Sequence, residues 1–196
     1  MADKVATDFL SSVKAKGRQA MNWLKGIINR VRRGSKPPTA SRRELMTDRN
    51  TGVIRLPSIG RMYLFTYDPK WEKKLPWYDV YPLVIPFDYA KGGFYGINLH
   101  YLPPNARTDL LLRLIKAQGG SGNLDADFKL GRLTFNVISR FKPAIPCIKR
   151  YLYGQVRSKG FYGISGEDWA YAAALPIQQF EKADASTVWK WSKSQY

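Results

Sequence analysis

The stretch from residue 62 to residue 102 is dense in aromatic and aliphatic side chains, shows little helical periodicity, and is cut repeatedly by proline and paired glycine. Residues 62–67, Met-Tyr-Leu-Phe-Thr-Tyr, stop at Asp68-Pro69, which predicts a strand followed by a turn. Residues 80–87 predict a second strand. Pro82 and Pro86 within it lack the N–H that a central strand needs, so the strand is expected at a sheet edge or a bulge. Residues 94–102 follow a Lys91-Gly92-Gly93 hairpin turn and alternate Phe94, Gly96, Asn98 and His100 with Tyr95, Ile97, Leu99 and Tyr101, a third strand. The short connections favour an antiparallel meander.

Beyond Pro103-Pro104-Asn105 the period changes. Leu110, Leu111, Leu114 and Ile115 share one side of a helix that Gly119-Gly120 stops, and Asp109 is spaced to pair with Arg113. Leu124, Phe128, Leu133 and Val137 predict a second helix to about Arg140, and Ile148, Tyr151, Leu152 and Val156 a third after Pro146. Residues 161–164 read as a short strand, Ser165 and Asp168 as the cap of a helix through Ala173, and residues 186–192 as a last short helix. The class is α+β, a small antiparallel sheet followed by several helices.

The first 57 residues differ in kind. Apolar residues at 5, 9, 13, 20, 24, 27, 28 and 31 place one face on an amphipathic helix, whose other face carries Lys14, Lys16, Arg18, Lys25, Arg30, Arg32 and Arg33. Gly17 interrupts it, leaving two shorter helices as the alternative. The helix ends near Gly34, before Lys36-Pro37-Pro38. From Pro37 to about Pro57 an extended basic linker carries Arg42, Arg43, Arg49 and Arg55. Two units result, a basic helix and extended arm over residues 1–57 and a compact α+β domain over 58–196.

Charge bounds the partners. The 196 residues hold 32 Lys and Arg against 15 Asp and Glu, a formal charge of +17, and residues 1–62 alone hold 14 against 4. Such a chain repels itself unless anionic partners balance it, so a polyanion comes first. Cys147 is the single cysteine and His100 the single histidine, which excludes an intramolecular disulfide and a Cys/His zinc set. No run approaches the roughly 20 apolar residues that span a bilayer, so a soluble or peripheral protein is expected.

Enzymatic readings find residue types without spacing. Asp68, Glu72, Asp79 and Asp88 with Lys70 or Lys91 could serve a metal-dependent nuclease, yet Asp68 and Asp79 stand at turn-like positions where Asp bonds its own backbone. His100 in an aromatic strand reads as a buried hydrogen-bonding residue, and Cys147 as a small core residue. No phosphate-cradling glycine loop is present. Positive surface is the stronger signal. Lys149, Arg150, Arg157 and Lys159, on or just after the third helix, would face solvent together, with phosphate their simplest partner. For the N-terminal helix, docking on protein is favoured over DNA contact, and a membrane is the least favoured partner.

The stretches GRMYLFTYDPKWEKKLPWYDVYPLVIPF (60–87), GGFYGINLHYLPPNAR (92–107), FKPAIPCIKRYL (141–152) and EDWAYAAALPIQQFEKA (167–183) resemble the DNA end protector family of T-even-like contractile-tailed bacteriophages. The resemblance covers residues 58–196 and lies in the long combination of aromatics and prolines. It implies a minor virion protein, added late to the filled head, that sits on the ends of packaged linear double-stranded DNA. There it would shield them from host exonuclease and help heads join tails.

The resulting expectation is a non-enzymatic virion protein of the head or neck with no cofactor, metal or small-molecule substrate. Its partners would be DNA ends and other phage structural proteins of the connector, neck or tail. No residue roles come with the family. The candidate DNA contacts, Arg30, Arg32, Arg33, Arg42, Arg43, Lys149, Arg150, Arg157 and Lys159, rest on charge and placement. The alternative is a neck, connector or tail assembly protein that bridges virion proteins without binding DNA ends.

Overall fold

A computed structural model describes residues 53–117 and 134–196. The expected helix over 5–31, nearly all of the linker, the Leu124–Leu133 part of the second helix, and Arg30, Arg32, Arg33, Arg42 and Arg43 lie outside the described residues.

The class is α+β. Strands β1 (Val53–Ile54), β2 (Met62–Leu64), β4 (Leu83–Ala90), β5 (Gly93–Asn98), β6 (Ile148–Leu152) and β7 (Phe161–Ile164) form one six-stranded antiparallel sheet in the order β1-β7-β2-β4-β5-β6. Strands β3 (Tyr78–Asp79) and β8 (Phe180–Glu181) make a separate ribbon. Helices α1 (Pro104–Ala117), α2 (Phe135–Ile138), α3 (Trp169–Ala174) and α4 (Ala185–Ser194) complete the described chain.

The central strands are covered on both faces, which is why they read as unbroken apolar runs. Met62, Leu64, Leu83, Ile85, Ile97 and Ile164 face a core closed by Leu110, Leu111 and Leu114 of α1, Trp169 and Ala173 of α3, and Val188 of α4. The alternate residues Tyr63, Phe65, Val84, Phe94, Tyr151 and Phe161 build a second, aromatic core on the opposite face. Phe65 is its hub, edge-on to Phe161 at 4.9 Å and to Tyr151 at 5.3 Å, the geometry that the ring quadrupole favours.

Proline shapes β4. The strand begins at Leu83, directly after Pro82, and lies inside the sheet rather than at its edge. Pro86 is accommodated by a register shift between Pro86 and Asp88 in the pairing with β5, the bulge of the two alternatives. The β4–β5 hairpin turns through Lys91-Gly92, where Gly92 takes a left-handed φ of 71° that glycine adopts without steric cost.

Two readings are corrected. The third helix expected from Ile148, Tyr151, Leu152 and Val156 is strand β6 followed by a short 3-10 turn, Tyr153–Gln155. Helical spacing misleads here because the sheet is buried on both sides. Ile148 packs toward the helical core and Tyr151 into the aromatic core, so opposite faces of one strand both carry apolar residues. Pairing with β5, from Ile97↔Ile148 to Gly93↔Leu152, satisfies the backbone. The strand expected over 94–102 ends at Asn98, where the Asn98 side chain accepts from His100 N and starts a 3-10 turn, Leu99–Tyr101.

Candidate nucleic-acid interface

Strand β6 carries Lys149 and Arg150 to the rim of a groove. Its deeper hollow, about 290 Å³, is lined by Tyr101, Lys149, Tyr151, Trp77, Trp191 and Asp79, among others. A second hollow of about 240 Å³ is lined by Lys70, Trp71 and Leu152. Tyr67, Pro69, Leu75 and Arg150 line both, so the two adjoin.

Each wall has a local cause. The ribbon of β3 with β8 fixes the segment that bears Trp77. Helix α4 is capped by Asp184, whose carboxylate accepts from Thr187 N at 2.6 Å, a standard N-cap bond. It is tied to the Leu99–Tyr101 turn by Trp189 Nε1, which donates to His100 O at 2.9 Å. Two residues further on, Trp191 meets Trp77 edge-on at 5.4 Å. The 3-10 turn Glu72–Lys74 follows Trp71 and is held by Lys182, whose Nζ donates to the carbonyls of Glu72 and Leu75.

Cations and rings alternate along this groove. Lys149 Nζ stands 4.0 Å from the Tyr101 ring centroid and 5.5 Å from that of Trp191. Burial lowers the Lys149 pKa to about 8, because a low-dielectric setting disfavours the charged form. Lys70 and Lys74 each lie 5.2 Å from the Trp71 ring, which is 59% exposed. Arg150 is exposed and donates to Lys91 O at 3.1 Å.

The acid in this lining, Asp79, is held in a network of hydrogen bonds. Asp79 is buried, its Oδ1 accepting from Tyr81 N and Gln179 N and its Oδ2 from Asn98 Nδ2. His100 Nδ1 lies 2.7 Å from Asp79 Oδ2, both side chains out of solvent. The bond to Tyr81 N, two residues on, is the turn chemistry expected of Asp79. Cys147 is fully buried and its thiol is pushed up to about 12. Among the described residues no group of three or more His, Cys, Asp or Glu is placed to hold a metal ion, and no helix is long and apolar enough to cross a membrane.

The four described sequence candidates therefore divide. Lys149 and Arg150 line the groove on β6, not on a helix. Arg157 lies outside that lining and is ion-paired, its Nε and Nη2 donating to Asp68 Oδ2 at 3.2 and 2.9 Å. Lys159 is exposed, also outside it. Sequence reasoning missed Lys70, Trp71, Lys74, Trp77 and Trp191. The Lys70-Trp71-Glu72-Lys73-Lys74 run held the one local signal, a tryptophan set among lysines.

Residues 42–193 match the family model described as Phage T4 terminal DNA protecting protein. The chain belongs to this family. No curated protein and no solved structure matches it. Every groove residue named above falls inside the match, as do Arg42 and Arg43 near its start, whereas Arg30, Arg32 and Arg33 precede it. The matched range spans the residues of the β-ribbon, strand β6 and nearly all of α4.

Proposed function

We propose that this protein binds the ends of packaged linear DNA through sequence-independent contacts and shields them from exonuclease by occupying them, without catalysis. It acts as a virion protein of the head or neck region and completes heads for tail joining. Besides family membership, one observation carries the reading: a groove lined by Lys70, Lys149 and Arg150 among aromatic rings, whose acid is buried in its own hydrogen bonds. Lys and Arg that neutralise phosphates release condensed counterions, which gives affinity without sequence preference. An exonuclease must engage a free terminus, so a protein seated there blocks it sterically.

Arg42, Arg43 and the more N-terminal Arg30, Arg32 and Arg33 are proposed to add phosphate contacts, with Lys159 on the described surface. The test is binding of the full chain to linear and covalently closed DNA of equal length, with exonuclease digestion as a second readout. Linear DNA is expected to bind more tightly and to survive digestion. With about nine such phosphate contacts, affinity should fall by roughly 10⁴- to 10⁵-fold between about 50 and about 200 mM salt. Equal affinity for closed and linear DNA, with no protection, would reject end binding.

A further inference from the structure

We propose that the groove takes the unpaired last nucleotides of a DNA strand, seating bases on its tryptophan rings and phosphates on Lys149 and Arg150. The inference rests on the end-binding reading and sharpens it, since it makes a frayed or overhanging terminus, rather than a blunt duplex, the preferred ligand.

Three observations support it. The first is size and shape. Two adjoining hollows of about 290 and 240 Å³ lie near the lower end of ligand sites, about 300 Å³, which suits a succession of single nucleotides. Within a duplex each base face is covered by its neighbours, so only unpaired nucleotides can enter a walled cleft and present both edge and face to it.

The second is chemistry. Proteins that hold single strands combine a positive groove along the backbone with aromatic side chains on which successive bases stack. Here one hollow offers Trp77 and Trp191 beside Lys149, and the other Trp71 beside Lys70. Arg150 lines both and stands where a linking phosphate would cross.

The third is charge. A rigid proline-rich peptide also docks on aromatic grooves, but Lys149 lies over Tyr101 rather than against a carboxylate, and Lys70 and Lys74 lie over Trp71. Cations resting on rings remain able to take a phosphate. An anionic ligand is the better complement.

The experiment compares the full chain on two linear duplexes of the same sequence, one blunt and one with a short single-stranded extension, and on the covalently closed form. The extended duplex is expected to bind about tenfold more tightly than the blunt one, the usual effect of stacking one base. W71A should weaken binding of the extended duplex more than of the blunt one and so reduce that preference, and W71F should keep most of it. Trp71 is largely exposed, so neither variant threatens folding. R150Q should flatten the salt dependence on the extended DNA by about 0.7, the value for one single-strand phosphate. Equal affinity for blunt and extended DNA overturns this inference, while end binding stands if both exceed the closed form. A preference that W71A does not touch places the extension elsewhere and also overturns it. Tryptophan quenching by a proline-rich peptide but not by a short oligonucleotide would make the groove a protein-docking site. If neither linear DNA exceeds the closed form, the end-binding reading falls as well.

Discussion

Lys149 Nζ lies 4.0 Å from the centroid of the Tyr101 ring. Electrostatic attraction to the ring quadrupole offsets part of the desolvation that this ammonium suffers on β6. The offset is incomplete, and the Lys149 pKa drops to about 8 from an ordinary 10.5. The consequence is a cation that can lose its charge at mildly alkaline pH, where exposed lysines keep theirs.

The pH dependence of DNA affinity follows. If Lys149 contacts phosphate, raising the pH from about 7 to about 9 should cost one contact and make the salt dependence on duplex DNA shallower by about 0.9. K149R, whose guanidinium stays charged throughout, should show no such change. Stability moves oppositely. Between about 8 and 10.5 the unfolded chain holds a proton that folded Lys149 has lost, so unfolding free energy should rise with pH across that window, and K149M should lose this contribution. Titration of affinity and urea unfolding of wild type against the two variants check both signs.

Arg150 and Arg157 are both exposed arginines with different expected effects. Arg157 already donates twice to Asp68 in a pair that is 55% and 41% exposed, worth at most about 1 kcal/mol to stability. Its charge is locally balanced, whereas Arg150 donates to a neutral carbonyl. R150Q should therefore reduce duplex affinity and its salt slope more than R157Q does. D68N, by freeing Arg157, should raise affinity while moving the melting temperature little. Binding isotherms at several salt concentrations would decide, and equal slopes for R150Q and R157Q would contradict this ordering.

Arg107 makes the opposite case, a cation with a structural role. It is fully buried on α1, where Nε donates to Leu102 O at 2.6 Å, Nη1 to Leu175 O at 3.0 Å and Nη2 to Gln178 Oε1 at 2.8 Å. Burial lowers its pKa to about 10, so it stays protonated at neutral pH. R107M would strand these acceptors and should cost about 3 kcal/mol. Urea unfolding should show a lower midpoint with an unchanged slope. DNA affinity of the folded fraction should match wild type.

How much of this was legible depends on how local the determinant is. Strand β7 and the β4–β5 hairpin were readable because glycine and proline mark their ends within a few residues. Strand β6 was not, since Ile148, Tyr151 and Leu152 satisfy a helical spacing as well as a strand buried on both faces. What decides between them is β5, some fifty residues earlier in the chain. The groove is less local still. Trp77, Tyr101, Lys149 and Trp191 meet only after the sheet, the ribbon and α4 have assembled, and no spacing along the chain encodes that meeting. Net charge pointed to an anionic partner, but it could not separate Lys149 at the groove from Arg107 in the core.

Asp79 separates a structural acid from a catalytic one. Its carboxylate gathers Tyr81 N, Gln179 N and Asn98 Nδ2, with His100 Nδ1 at 2.7 Å, so it joins the ribbon to β5 and to the turn that carries Tyr101. D79N would keep an acceptor for the two backbone N–H groups but set an amide N–H₂ against Asn98 Nδ2. That mismatch should lower stability by about 2 kcal/mol. In a double-mutant cycle with H100Q, a coupling of about 1 kcal/mol or more is expected for two groups in direct contact. Linear DNA incubated with Mg²⁺ should stay intact with wild type and D79N alike. Nicking by the wild type that D79N abolishes, with the fold retained, would instead make Asp79 a metal ligand and the protein a nuclease.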